Sequence, residues 1–239
     1  MIRLLKSVSI VVAVLSALAL WAGMLCETCQ AAEPTPPQPK PAENQPAWQD
    51  LFDGKTLKNW QVTKFGGAGK VSVDKGTIVM EMGNDMTGIT YDGKPSRTNY
   101  ELALEGMRVE GSDFFCTTTF PVGEEPCSFV VGGWAGSVIG LSNIDDHDAS
   151  ENATTQYFAF ENKRWYKVRI RVSDARVECW IDEKNVIDLP RKNRKFGIRP
   201  EVELNKPLGV ATWQTTGAIR NVRLRNLSPA EVKDAAADR

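Results

Sequence analysis

One stretch of the chain concentrates groups able to do chemistry. Asp145-Asp146-His147-Asp148-Ala149-Ser150-Glu151-Asn152 brings carboxylates, one imidazole and an amide together on an expected loop, the kind of segment that carries function over a rigid scaffold. Carboxylates beside an imidazole can hold a divalent metal ion or move protons near neutral pH. Asp146, His147 and Asp148 are the expected ligands of such a metal, and with Glu151 they form the expected catalytic group. The other reading is a solvated acidic turn, and both stay open. Asp146, Asp148 and Ser150 match the start of a calcium loop. Glu151, however, stands where that loop needs Gly, and Tyr157 where it ends on Glu, so an EF-hand is excluded. His147 is the only histidine, which rules out HExxH chemistry and multi-histidine zinc sites.

A second group of residues could recognise a sugar. Trp180, Trp213 and Trp134 offer flat rings for the C–H face of a pyranose. Gln214, Gln156 and Glu178 could hydrogen-bond its hydroxyls. Ordinary sheet packing is the alternative for each ring. Trp48, Trp60 and Trp165 are expected in the core or at strand ends. Gly66-Gly67-Ala68-Gly69-Lys70 superficially resembles a phosphate loop. It lacks the first Gly, where Lys64 stands, and the final Ser or Thr, where Val71 stands, so it reads as a turn.

The elements that must position these side chains are strands. Tyr100, Leu102 and Leu104 alternate with Glu101, Ala103 and Glu105. Val168, Ile170 and Val172 alternate with Lys167, Arg169 and Arg171, and Val177, Cys179 and Ile181 with Arg176, Glu178 and Trp180. This period of two marks half-buried antiparallel strands. It places Trp180 on the face opposite the core. Further strands are expected over residues 77–82, 113–120, 127–131, 138–141, 186–189, 208–212 and 222–225. The pattern predicts an all-β sandwich of two antiparallel sheets, a jelly roll. A hairpin turning near Gly123-Glu124, with Pro121 facing Pro126, would set Cys127 opposite Phe120. A Cys116–Cys127 disulfide would need another register. Cys179 alternates with core residues and is expected to be an inert buried hydrophobe.

The remaining composition bounds the partners. The chain has 239 residues, with Lys+Arg 29 against Asp+Glu 30 and a net charge of -1, which excludes a nucleic-acid binder working through a broad basic surface. A hydrophobic content of 42% suffices for a core. Arg3 and Lys6 precede an apolar run over residues 8–25 and small residues around Ala31-Ala32. Residues 1–31 therefore read as an export signal or a retained N-terminal anchor. Residues 32–47 form a Pro-rich linker, 48–227 the β-sandwich domain, and 228–239 a polar tail in which Ser228-Pro229-Ala230-Glu231 could cap a short helix.

The order of motifs across 48–227 resembles one family. Leu51-Phe52-Asp53-Gly54-Lys55-Thr56-Leu57-Lys58-Asn59-Trp60 opens the domain and Ile219-Arg220-Asn221-Val222-Arg223-Leu224 closes it. Between them lie Gly111-Ser112-Asp113-Phe114-Phe115 and Arg164-Trp165-Tyr166-Lys167-Val168. This is similar to the 3-keto-disaccharide hydrolase family, also described as 3-keto-glucoside 1,2-lyase and 3-keto-2-hydroxy-glucal hydratase domains. The resemblance implies a concanavalin A-like jelly roll, a periplasmic or secreted location, a small-molecule or oligosaccharide glycan as partner, and hydrolase or lyase action on 3-keto-glycosides. That chemistry needs a base for the C2 proton and an electrophile, often a divalent metal, for the enolate. The chain departs from relatives at 116–120, 138–145 and 212–217. A glycan-binding module without turnover, or a structural domain of the envelope, are the alternatives. A membrane is expected as partner only through the N-terminal anchor.

Overall fold

The computed structural model describes residues 46–237. The expected export segment and nearly all of the Pro-rich linker lie outside the described residues. Among those described, no helix is long and apolar enough to cross a membrane.

Alternation along the chain becomes two antiparallel sheets packed face to face. The first runs β13 (Lys184–Pro190), β12 (Arg176–Ile181), β11 (Trp165–Val172), β6 (Tyr100–Gly111), β15 (Thr215–Asn226), β4 (Thr77–Met80), β3 (Val71–Asp74), with β1 (Gln49–Asp50) beside β15. The second runs β10 (Gln156–Tyr157), β9 (Val138–Ser142), β8 (Glu125–Gly132), β7 (Thr117–Val122), β14 (Gly209–Trp213), β5 (Met86–Tyr91), β2 (Trp60–Val62). This is the expected jelly-roll sandwich.

The core lies between the sheets. Tyr100, Leu102 and Leu104 of β6, Val168 and Ile170 of β11, and Cys179 and Ile181 of β12 face Ile89, Phe120, Phe129, Leu141 and Val210 of the second sheet. Each such side chain contributes roughly 1.5–3 kcal/mol on leaving water. Tyr100 is fully buried, and its hydroxyl donates to the Pro121 carbonyl at 2.7 Å, so the phenol links the two sheets without an unpaired polar group. Trp60 is likewise buried and donates through Nε1 to the Leu51 carbonyl at 2.8 Å.

The hairpin β7–β8 has the expected register, with Pro121 opposite Pro126 and Phe120 opposite Cys127. Cys116, Cys127 and Cys179 are free and buried, so the disulfide weighed from sequence is not formed. Burial pushes all three thiols up and keeps them protonated. The strand expected from residue 113 begins only at Thr117, because the Asp113 side chain accepts the Phe114 amide at 2.8 Å and turns the chain. Within the segment 66–70, Gly66 and Gly67 form a turn and the rest is irregular. The tail carries a short helix α1 (Pro229–Ala236) with a reciprocal Ser228–Glu231 capping box.

The outward face of the first sheet is charged and closed. Glu101, 2% exposed, receives Arg169 at 2.9 Å, Arg171 at 3.3 Å and Arg225 at 2.5 Å. Trp180 lies on this face, as its alternation required.

Close packing between the sheets gives a direct test. A methyl group at Gly106 would sit 2.5 Å from Cys116 Sγ and 2.8 Å from its Cβ. Gly106→Ala should destabilise the fold by about 1–3 kcal/mol in chemical denaturation. Adding Cys116→Ala should recover part of that loss, giving a non-additive double-mutant cycle.

Candidate functional site

The outward face of the second sheet differs from that of the first. Its side chains are small. One row across the strands reads Thr90, Gly209, Thr119, Ser128 and Ser142, and the neighbouring row includes Gly88, Ala211 and Thr117. Thr117, Thr119, Ser128 and Ser142 are nevertheless buried, because loops cross above them. Asn205 packs on Gly209 and Ala149 on Gly140, each too close to admit a further side chain. Small residues under a roof of loops leave space, and a cavity of about 200 Å³ remains there. Phe114, Trp134 and Trp213 line it with aromatic rings, Thr117, Ser128 and Ser142 with hydroxyls, and Arg199, Glu201 and Asp113 with charge.

Local chemistry fixes the aromatic wall. The Asp113 carboxylate accepts the Phe114 amide through Oδ1 and the Ala135 amide through Oδ2, both at 2.8 Å. It thereby holds both Phe114 and the turn Gly133–Gly136 that carries Trp134. That turn is irregular, with Trp134 at φ 48 and Ala135 at φ 64. Trp213 donates its amide to the Phe114 carbonyl at 3.0 Å, and the two rings lie 6.3 Å apart and tilted. Trp134 is 41% exposed, so part of the residue stays accessible to a ligand.

Arg199 is the cation of the cavity. Its Nη1 donates to Asp148 Oδ2 at 2.6 Å, while Nη2 and Nε reach the two oxygens of Glu201 at 2.7 and 3.3 Å. The guanidinium lies 5.9 Å from the centre of the Trp134 ring. Its hydrogen bonds hold Glu201 below the ordinary carboxylate range against the opposing effect of burial. Burial works to raise Asp148, but Ser150 and Arg199 outweigh it and the group is lowered. Both carboxylates are therefore ionised at neutral pH.

The acidic loop acts as one side of an ionic clasp. Asp145 pairs with Arg194 at 2.5 Å, Asp146 with Lys195 at 2.7 Å and Asp148 with Arg199 at 2.6 Å. Backbone bonds between Asn143 and Gly197 and between Asp145 and Lys195 run alongside, and Ile144 bridges to Phe196. Asn152 braces the loop from within by donating to the carbonyls of Leu141 and Asp148, each at 2.7 Å.

The structure divides the side chains singled out from sequence. Trp134 and Trp213 share the cavity, and Asp148 holds its arginine. His147 is exposed and lies outside the cavity lining, with Nδ1 3.8 Å from Glu151 Oε1. Trp180 is on the other sheet, with the Arg169 guanidinium 3.6 Å from its ring centre. Glu178 is buried beside Arg171 on that same sheet. Gln214 adjoins Trp213 but donates to Asp85, and Gln156 donates to the Val186 carbonyl, joining the edges of the two sheets. Asp146, His147 and Asp148 do not fit a metal ion. Both carboxylates are engaged by cations, and among the described residues no three His, Cys, Asp or Glu side chains converge on one point. Phe114, Asp113, Arg199 and Glu201 are not singled out as site residues by sequence. The signal that points to this segment is the set of cations Arg194, Lys195 and Arg199, opposite in sign to the acidic run.

Asp148→Asn keeps the shape of the clasp and removes its charge. Affinity for a ligand of the cavity should fall about tenfold as Arg199 loses a charge-assisted partner. Because the folded-state pKa of Asp148 lies below its ordinary 3.8, its stabilisation is present above that value and is lost as pH falls through the folded pKa. The difference in unfolding midpoint between wild type and Asp148→Asn should therefore vanish in strong acid, as pH-dependent thermal denaturation would show.

Comparison with known proteins bears on both fold and family. The apo form of Crh5 transglycosylase superposes with a TM-score of 0.54 at 16% identity, over 77% of this chain and 85% of that one. Its complex with NAG gives 0.53 at 16%, over 77% and 84%. A structure from work on endo-acting O-glycanases of the human gut microbiota gives 0.52 at 11%, over 76% and 99%. At such identities the likeness is one of fold. No curated protein matches the chain. The model of the 3-keto-alpha-glucoside-1,2-lyase-like domain matches residues 47–225, an extent that spans both sheets and every residue lining the cavity. The chain belongs to the 3-keto-alpha-glucoside-1,2-lyase-like domain family.

Proposed function

We propose that this protein is an exported carbohydrate-active domain that takes a 3-keto-glycoside into the cavity of the second sheet and cleaves it by lyase or hydrolase chemistry. The observation that carries the reading is the lining of that cavity. Aromatic rings, hydroxyls and one arginine are the surfaces a sugar ring uses, and family membership indicates the 3-keto form. The basic start and apolar run of residues 1–31 support export.

A ketone at C3 acidifies the C2 proton. Removing it breaks the C2–H bond and places the electron pair on an enolate oxygen at C3. When the carbonyl re-forms, a C1=C2 double bond forms, the C1–O bond breaks and the aglycone departs with a proton. Water then adds across the double bond. In this reading Glu201 is the base and Arg199 the electrophile that holds the enolate oxygen. Phe114, Trp134 and Trp213 orient the ring. The loop bearing His147 contributes through Asp148, which fixes Arg199. The second reading, glycan binding without turnover, is favoured by one observation. The oxygens of Asp113 and Glu201 already accept hydrogen bonds from backbone amides or from Arg199.

Incubation with a 3-keto-glucoside and with its parent glucoside separates the two. The lyase reading expects release of the aglycone from the keto form alone, and a loss of about 10²-fold or more in Glu201→Gln with binding retained. Since Arg199 holds Glu201 below the ordinary value of 4.5, activity should persist down to that value and fall only at more acid pH. Binding of the parent glycan with no release from the keto form would establish the second reading.

A further inference from the structure

A charged concavity outside the proposed site lies near the end of the sandwich where α1 stops. It is a cleft of about 590 Å³ between the turn 173–176, the segment 190–196, the β7–β8 hairpin and the last turn of α1. Arg176, Arg191, Lys192 and Arg194 line it, together with the carboxylates Glu125 and Asp174.

The partners of these groups decide what the cleft can bind. Arg176 is paired with Asp188 at 2.5 Å and Arg194 with Asp145 at 2.5 Å. Glu125 accepts the Phe196 amide at 3.0 Å, and Asp174 accepts from Thr98 at 3.1 Å and Asn99 at 2.7 Å. Arg191 and Lys192 are different. Arg191 donates only through Nη1, to the Ser173 carbonyl at 2.5 Å and to Thr98 Oγ1 at 3.2 Å. These neutral oxygens fix the guanidinium plane, and no carboxylate among the described residues forms an ion pair with it. Its Nε and Nη2, the edge that grips an oxyanion with two parallel bonds, make no hydrogen bond among the described residues. A side chain at position 123 would come within 3.1 Å of Nη2, and Gly123 at φ +67 leaves that space open. Lys192 is exposed and has no ion pair among the described residues.

A guanidinium pre-oriented by neutral groups, with its two-donor edge free and a second cation next to it, is the arrangement that recognises a carboxylate or sulfate. The volume far exceeds that of an inorganic anion and falls within the range of small-molecule sites. We infer that this cleft is a second binding site, for an acidic oligosaccharide, and that Arg191 and Lys192 grip its carboxylate or sulfate groups. The saccharide class rests on the carbohydrate-active reading of the family, whereas the anion grip is independent of turnover at the aromatic cavity.

Calorimetric titration of the full chain tests it, using a galacturonate hexasaccharide, a heparin-derived hexasaccharide, a neutral glucan hexasaccharide and inorganic phosphate. At low salt at least one acidic hexasaccharide should bind about tenfold or more tighter than the neutral one, and rising salt should weaken it through screening. The tighter of the two acidic ligands identifies the group as carboxylate or sulfate. Lys192→Glu, at an exposed position with no side-chain hydrogen bond or ion pair among the described residues, should reduce that affinity about tenfold or more, and Arg191→Lys should reduce it although charge is kept. Neither should alter turnover or binding at the aromatic cavity. Equal affinity for neutral and acidic hexasaccharides, binding of phosphate as tight as that of the acidic ligands, or unchanged affinity in Lys192→Glu would each overturn the inference.

Discussion

Arg199 sits between two carboxylates that come from opposite directions along the chain, and the outward side of the second sheet is organised around that pairing. Asp148 belongs to the acidic loop and Glu201 to the turn that follows the arginine. Without the cations, four carboxylates within residues 145–151 would repel one another, and only backbone pairing and Asn152 would hold the loop over the sheet. With Arg194, Lys195 and Arg199 set opposite them, the same charges become a clasp, and the roof of the cavity is held by charge as well as by backbone pairing. Exposed pairs of this kind contribute little to global stability. Their effect here is geometric, since they decide where one guanidinium points.

The two outward faces divide the labour of the fold. On the first sheet, long arginine side chains lie over Glu101 and against the rings of Trp180, Trp165 and Trp48, filling their own surface. On the second, threonine, serine, alanine and glycine leave volume that loops enclose but do not fill. The cavity is thus made by subtraction, through the side chains the sheet omits, and the aromatic residues come from a strand end and from turns.

Much of the scaffold is legible in the sequence, because a period of two has one structural meaning. The alternation around Tyr100, Val168 and Val177 gives the inward faces, and the paired prolines 121 and 126 give a hairpin register that holds residue for residue. The outward direction of Trp180 follows from the same rule. What the rule cannot supply is which sheet carries small residues and loops on its outside, so Trp180 and Trp213, both candidate sugar platforms in sequence terms, fall on different surfaces. The partners of the acidic loop lie about fifty residues away along the chain, in a segment without periodicity. An acidic run with a histidine in it is therefore consistent with a metal site until the basic run 194–199 is seen beside it. Arg199 belongs to that basic run, whereas Glu201, beyond Pro200 in the same irregular stretch, carries no local signature.

The three thiols inside the sandwich set a condition on how the chain must be made. Cys116, Cys127 and Cys179 are protected only by the closed core, which excludes oxidants and keeps each sulfur protonated. In a compartment that favours disulfides that protection begins when the sheets close and not before. Folding and oxidation are then competitors for the same chain, and the pace at which β7, β8 and β12 are buried becomes a determinant of yield. Among these three, any one disulfide made too early leaves the third thiol free to react elsewhere.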